Sequence, residues 1–137
     1  MAQTIRDVMS SNPVTLDCGC SLEEAARAMR ERDIGDILVT RDGTLCGIVT
    51  DRDIVVRGLA ESRISGTIGD IVSEDLVTVS PDDDIPKAVE LMRTHAIRRL
   101  PVVSHDRPVG IVTIGDLAVE RDENSALAEI SGARPNR

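Results

Sequence analysis

The sequence predicts a mixed α/β (α+β) protein built from two pseudo-symmetric units, each strand-helix-strand-strand-helix, packed sheet to sheet. Three observations carry this expectation. The chain repeats itself at a spacing of 63 residues. Its apolar residues switch between the helical and the strand interval in the same order in both copies. Its 137 residues are 41% hydrophobic and 29% charged, the balance of a globular domain rather than a disordered one. One such unit alone leaves an apolar sheet face uncovered, and two copies in one chain can bury those faces.

The repeat runs without a gap. Shifted by 63, Thr4-Ile5-Arg6-Asp7 falls on Thr67-Ile68-Gly69-Asp70, Val14-Thr15 on Val77-Thr78, and Met29-Arg30 on Met92-Arg93. Gly47-Ile48-Val49-Thr50 falls on Gly110-Ile111-Val112-Thr113, with Asp53 on Asp116. In all, 17 of the 54 positions from 4 to 57 are identical, where chance at ordinary composition gives about three. The copies span 4–60 and 67–122, with a linker at 61–66 and a tail at 123–137.

Each element follows from local chemistry. Thr4 and Thr67 read as N-caps of a short opening helix, with Asp7 and Asp70 at N3. A short strand follows at Val14–Leu16 and at Val77–Val79. Ser21-Leu22-Glu23-Glu24 is a capping box that starts a helix to about Arg32, with Leu22, Ala25, Ala26 and Met29 at helical spacing. Its counterpart starts near Asp84 and carries Ile85, Ala88, Val89 and Met92. Two strands come next, Ile37–Val39 and Leu45–Val49, joined by Arg41-Asp42-Gly43, a hairpin signal. In the second copy Leu100–Val103 and Val109–Val112 flank His105-Asp106-Arg107-Pro108. Closing helices run from Asp51 to about Leu59 and from Ile114 to about Arg121. The tail holds one helical turn around Ala126-Leu127.

Composition narrows the function. There is no Phe, Trp or Tyr, so the stacking platforms that single-stranded nucleic acid uses are missing. A net charge of −8 repels phosphate backbones and anionic lipid, which argues against nucleic-acid and membrane partners. Any anion site must therefore be local. No apolar run is long enough to span a bilayer and the N-terminus has no signal segment, so a cytoplasmic location is expected. Cys18, Cys20 and Cys46 meet neither a disulfide framework nor the spacing of a metal site, and no metal is expected. No Gly-x-Ser-x-Gly or phosphate loop occurs, and no nucleophile adjoins a base, so an enzyme is not expected.

A strand-helix-strand-strand-helix repeat ending in Gly-Ile-Val-Thr-x-x-Asp resembles the CBS (cystathionine β-synthase) motif, and the tandem pair resembles a Bateman module. The run from Asp33-Ile34-Gly35 through Thr50-Asp51-Arg52-Asp53 to Gly58-Leu59 resembles small stand-alone bacterial CBS proteins, including the hypoxic-response type. The resemblance implies a regulatory protein that needs no cofactor. It would bind an adenine nucleotide or adenosyl compound such as AMP, ADP or ATP in a cleft between the motifs, and act on a separate protein partner. It also implies a homodimer paired through helices, for which the faces Leu22 to Met29 and Ile85 to Met92 are proposed. Thr50 and Thr113 stand where the family places a hydroxyl on phosphate, and Asp53 and Asp116 where a carboxylate accepts the ribose hydroxyls. Val14-Thr15 and Val77-Thr78 lie where backbone meets the adenine edge. Leu100-Pro101 lies where the purine face is held, and Arg99 where some members place a phosphate-binding base.

Read without the family, Thr-x-x-Asp places free backbone amides and a carboxylate at a helix start, which is an anion site and also an ordinary cap. The two copies differ here. The second has Arg98-Arg99 before Leu100-Pro101, whereas the first has Gly35-Asp36, with Leu38 in place of the proline. Asp36 disfavours a phosphate, leaving that site empty or suited to a neutral nucleoside, unless Arg52 compensates. The alternative function is a ligand-free dimeric interaction or stress-response scaffold.

Overall fold

The computed structural model describes residues 4–73 and 76–121, and the tail with its expected turn at Ala126-Leu127 lies outside them. The elements are α1 (Ile5–Val8), β1 (Ser10–Ser11), β2 (Thr15–Asp17), α2 (Leu22–Arg32), β3 (Asp36–Arg41), β4 (Thr44–Thr50) and α3 (Asp51–Asp53), which continues as a π-helix over Ile54–Leu59. A 3-10 turn (Ile68–Asp70), α4 (Ile85–His95), β5 (Arg99–Ser104), β6 (Arg107–Thr113) and α5 (Ile114–Arg121) complete the order. The chain divides into two compact units. A continuous unit runs Val14–Leu76, and a discontinuous unit joins the residues up to Pro13 to those from Val77 onward.

In the continuous unit the sheet order is β2-β3-β4. Strand β2 runs parallel to β3, and β3 antiparallel to β4 from Asp36↔Thr50 to Arg41↔Thr44. The turn between them places Asp42 and Gly43 at φ 55 and 82, the left-handed pair that a twisted two-residue hairpin requires. Helix α2 begins as expected, with Ser21 Oγ accepting from Glu24 N at 3.0 Å. Its Leu22, Ala25 and Met29 pack with Ile37, Val39, Val49, Ile68 and Ile71 to form the core.

In the discontinuous unit the order is β1-β6-β5, with Ser10↔Ile111 and Ser11↔Gly110 antiparallel and β5 antiparallel to β6. Ile85, Ala88 and Met92 of α4, Leu117 of α5, Ile5 of α1 and the sheet residues Leu100, Val102 and Val112 make its core. Each unit thus has a hydrophobic core of its own, with helices closing a face of its sheet.

The compact units and the sequence repeats are offset. The residues that open each repeat pack on the sheet of the other. Ile5 N donates to Asp83 O at 2.9 Å, and β1 extends the second copy's sheet. Conversely, Ile68 N donates to Cys20 O at 2.9 Å and Ile48 bridges Ser73 in the first copy's unit. This crossing explains the glycine of Gly-Ile-Val-Thr. A β-carbon on Gly47 would collide with Val72 and lie 2.7 Å from Ser73 O, and one on Gly110 would lie 2.6 Å from Met9 Sδ and 2.8 Å from Ser10 O.

Three elements depart from expectation. Strand β1 has no apolar alternation to reveal it, being Ser10-Ser11. The first strand of the second copy is reduced to a single bridge, Val79↔Val102. In the continuous unit Leu38 N donates to Val14 O at 3.1 Å; Pro101 occupies Leu38's place and has no N–H to donate. The closing helix of the first copy becomes a π-helix, with Ala60 N bonded to Val55 O at 2.9 Å. Val55-Val56 and Gly58 are weak helix formers, and Gly58 lies so close to Leu22 that a β-carbon would clash there.

Candidate functional site

The expected site residues fall into two sets, one per unit. Thr113, Asp116, Arg99, Leu100, Pro101, Val77 and Thr78 lie in the discontinuous unit, and Thr50, Asp53, Val14 and Thr15 in the continuous one. In both, the last residue of the second hairpin strand, β4 or β6, caps the helix that follows it. Asp53 N donates to Thr50 Oγ1 at 3.0 Å while Thr50 N donates to Asp53 Oδ2 at 2.9 Å. Asp116 N donates to Thr113 Oγ1 at 3.2 Å, and Thr113 N to Asp116 Oδ2 at 2.8 Å. The capping role is therefore realised in both copies. It engages Oδ2 of each aspartate and leaves each threonine hydroxyl hydrogen available to donate.

The neighbouring strand fixes what faces each cap. Arg99 is the register partner of Thr113, and Asp36 that of Thr50. The strand start is tied to the helix start by Ile114 N to Arg98 O at 2.8 Å, and by Asp51 N to Gly35 O at 3.0 Å. Arg99 is exposed along much of its side chain, yet burial of its guanidinium region lowers its pKa; an arginine stays charged at neutral pH regardless. Asp36 Oδ2 is buried. The Asp51 carboxylate closes on the same strand end, 3.2 Å from where a β-carbon on Gly35 would stand. Asp51 was not singled out from the sequence; the signal was there in its repeat counterpart, the uncharged Ile114.

The remaining residues divide by burial. Leu100 is fully buried in its unit's core, so its side chain packs inward and the residue presents no open surface. Pro101 is buried as well, Val77 and Val14 are half-buried against their cores, and Thr78 and Thr15 are exposed. Because Pro101 cannot donate, the Val77 carbonyl lacks the partner that Leu38 gives Val14.

The helical faces expected to mediate pairing are a correction. Leu22, Ala25 and Met29, and likewise Ile85, Ala88 and Met92, are buried inside their own units. Their spacing marks the core-facing stripe of each helix rather than an outer surface. Among the described residues the large aliphatics left exposed are instead Val55 (56%), Val56 (45%) and Leu59 (60%) of the π-helix, Ile64 (52%), and Ile114 (55%) of α5. An apolar groove of about 310 Å³ lies between α4 and α5, lined by Val89, Met92, Ile97, Ile114 and Leu117 among others, and contains none of the expected site residues.

None of the three cysteines is in a disulfide, and all are half-buried. Burial pushes the Cys20 thiol up, with Glu24 adding to the effect. Among the described residues no group of three or more His, Cys, Asp or Glu side chains is placed to hold a metal ion. No helix among them is long and apolar enough to cross a membrane.

Comparison with known proteins agrees with this architecture. The CBS domain family matches residues 5–59 and 68–122. The CBS domain-containing protein YhcV of Bacillus subtilis is 38% identical over 93% of this chain and 95% of its own length. Hypoxic response protein 1 of Mycobacterium tuberculosis is 36% identical, covering 90% of this chain and 89% of that protein. A crystal structure of Hypoxic Response Protein I with two coordinated zinc ions superposes with a TM-score of 0.78 at 36% identity, over 88% of this chain and 99% of that one. The CBS domain pair of protein MJ0100, solved in complex with 5′-methylthioadenosine and S-adenosyl-L-methionine, also gives a TM-score of 0.78, at 28% identity over 89% of this chain and 98% of that one. With two family matches spanning most of its length and the duplicated sheet-and-helix architecture in place, the chain belongs to the CBS domain family as a tandem CBS pair.

Proposed function

We propose that this CBS pair is a regulatory sensor that binds an adenine nucleotide or adenosyl compound, such as AMP, ADP or ATP, and acts on a separate protein partner. One observation carries the reading: in each unit a Thr-x-x-Asp cap at the end of the second hairpin strand spends one carboxylate oxygen on its own helix. The other oxygen of Asp116 or Asp53 suits a pair of vicinal hydroxyls, and the Thr113 or Thr50 hydroxyl suits a phosphate or ribose oxygen. In the discontinuous unit Arg99 supplies the cation and Val77-Thr78 the backbone for the base edge, with the buried Leu100-Pro101 as the support behind them. Val14-Thr15 would do the last job in the continuous unit. The adenosyl ligands in the MJ0100 complex support the ligand class. The residues named bind and orient, and the role this reading assigns them is recognition.

Calorimetry and thermal-shift measurement of the whole chain with AMP, ATP and S-adenosylmethionine test this. Saturable heat and a raised unfolding temperature are expected with at least one of them, and both are expected to vanish in the Asp53→Ala, Asp116→Ala double variant. No heat and no shift with any would overturn the sensor. The exposed Val55, Val56, Leu59 and Ile114 favour a second reading, a ligand-free homodimeric scaffold. That reading predicts a dimer in sedimentation that Val56→Asp with Leu59→Asp disrupts, with no response to adenosyl compounds.

A further inference from the structure

The two equivalent sites carry opposite charge. In the discontinuous unit the strand start and helix start present Arg98, Arg99, Ile114, Gly115 and Asp116, two guanidiniums against one carboxylate. The same places in the continuous unit hold Gly35, Asp36, Asp51, Arg52 and Asp53, three carboxylates against one guanidinium. The strand registers make this a matter of geometry, since Arg99 stands across from the Thr113 cap where Asp36 stands across from Thr50. The carboxylates are fixed there: Asp36 Oδ2 is buried, Asp51 abuts Gly35, and Asp53 is held by its cap. Backbone chemistry divides the sites the same way. Leu38 N occupies the Val14 carbonyl at 3.1 Å, whereas Pro101 leaves its counterpart at Val77 open to an exocyclic amine.

We infer that the Thr113 site is selective for phosphate-bearing adenine nucleotides and that the Thr50 site rejects them, so that one nucleotide binds per chain. This rests on the sensor reading and names the ligand class that each half accepts or excludes. A nucleotide phosphate brings between one and two negative charges near neutral pH, about −1.5 to −2 for a monoester. Beside Arg98, Arg99 and the α5 start that charge is attracted. Beside Asp36, Asp51 and Asp53 it is repelled, and the single Arg52 does not balance three carboxylates.

The test is calorimetric titration of the full chain with AMP and, separately, with 5′-methylthioadenosine, the same adenosine core without phosphate. AMP is expected to bind at a stoichiometry near one and more tightly than methylthioadenosine. Arg99→Gln is expected to weaken AMP about tenfold, the scale of one charge-assisted hydrogen bond, and to leave methylthioadenosine within about twofold. Arg99→Lys should recover part of the AMP affinity, which a merely structural role for the guanidinium would not produce. Two AMP molecules per wild-type chain, equal affinities for the two compounds, or AMP binding indifferent to Arg99→Gln would overturn the selectivity while leaving the sensor in place. Absence of binding by both compounds would overturn the selectivity, and silence from ATP and S-adenosylmethionine as well would overturn the sensor with it.

Discussion

At Thr113 and Asp116 one carboxylate is asked to cap a helix and, in the proposed site, to hold a ribose. Its two oxygens can divide the work, because the cap uses Oδ2. Asp116→Asn should separate the roles. The amide oxygen still accepts from Thr113 N, so stability should change by less than about 0.5 kcal/mol, whereas Asp116→Ala should cost about 1 kcal/mol. Both variants should weaken AMP in calorimetry, since a neutral or absent acceptor binds two hydroxyls less well. A second residue ties the fold to pH. Asp83 Oδ2 accepts from Ser80 N at 2.8 Å and pairs with Lys87 Nζ at 3.2 Å. The Ser80 N–H first, and Lys87 after it, hold its carboxyl below the usual range. With the folded value depressed, its contribution is fully present above the unfolded aspartate value of about 3.9 and is lost as pH falls through the folded value. The unfolding temperature of Asp83→Asn, followed from pH 5 to pH 2, should therefore fall less steeply than that of the parent protein. Cys20, buried beside Glu24, should alkylate more slowly at pH 8 than an unfolded cysteine, and Glu24→Gln should speed it, as read by mass spectrometry.

Among the elements, those with local signals were legible. Ser21 and Glu24 announced α2, Asp84 announced α4, and Asp42-Gly43 announced the hairpin. The ones that escaped are set by neighbours distant in sequence. Strand β1 exists because β6 offers a free edge to Ser10-Ser11, and no pattern within those two serines says so. The second copy's first strand reads as well as the first copy's, yet it shrinks to a bridge because of a proline 22 residues beyond Val79. Gly47 and Gly110 were visible as motif glycines, but their reason was not: a chain segment from the other repeat crosses each of them. Gly47→Ala and Gly110→Ala should each destabilise by about 2 kcal/mol, the usual cost of overpacking, measured as a lower urea midpoint at unchanged slope. The candidate site was legible in its residue types and its asymmetry. Its geometry was not, since the pairing of Arg99 with Thr113 and of Asp36 with Thr50 depends on strand register.

For the molecule as a whole, the offset between repeat and unit decides which pieces can stand alone. A fragment of residues 14–76 keeps the whole core of the continuous unit, including Ile68 and Ile71; one of residues 4–66 has the same length and lacks both. Circular dichroism should show a thermal transition for the first and none for the second. The period of the repeat was readable from identities alone, but a boundary drawn at the linker does not cut between the two cores, because each opening segment belongs to the other repeat's sheet. A solitary ancestor of this motif would have carried an arm with no berth of its own, and two such chains would have had to lend each other their arms. Fusing the copies turned that loan into a unimolecular closure, independent of dilution. Refolding should accordingly be first order at low concentration, and crowding the chains during refolding should let arms lodge in foreign molecules and yield exchanged oligomers.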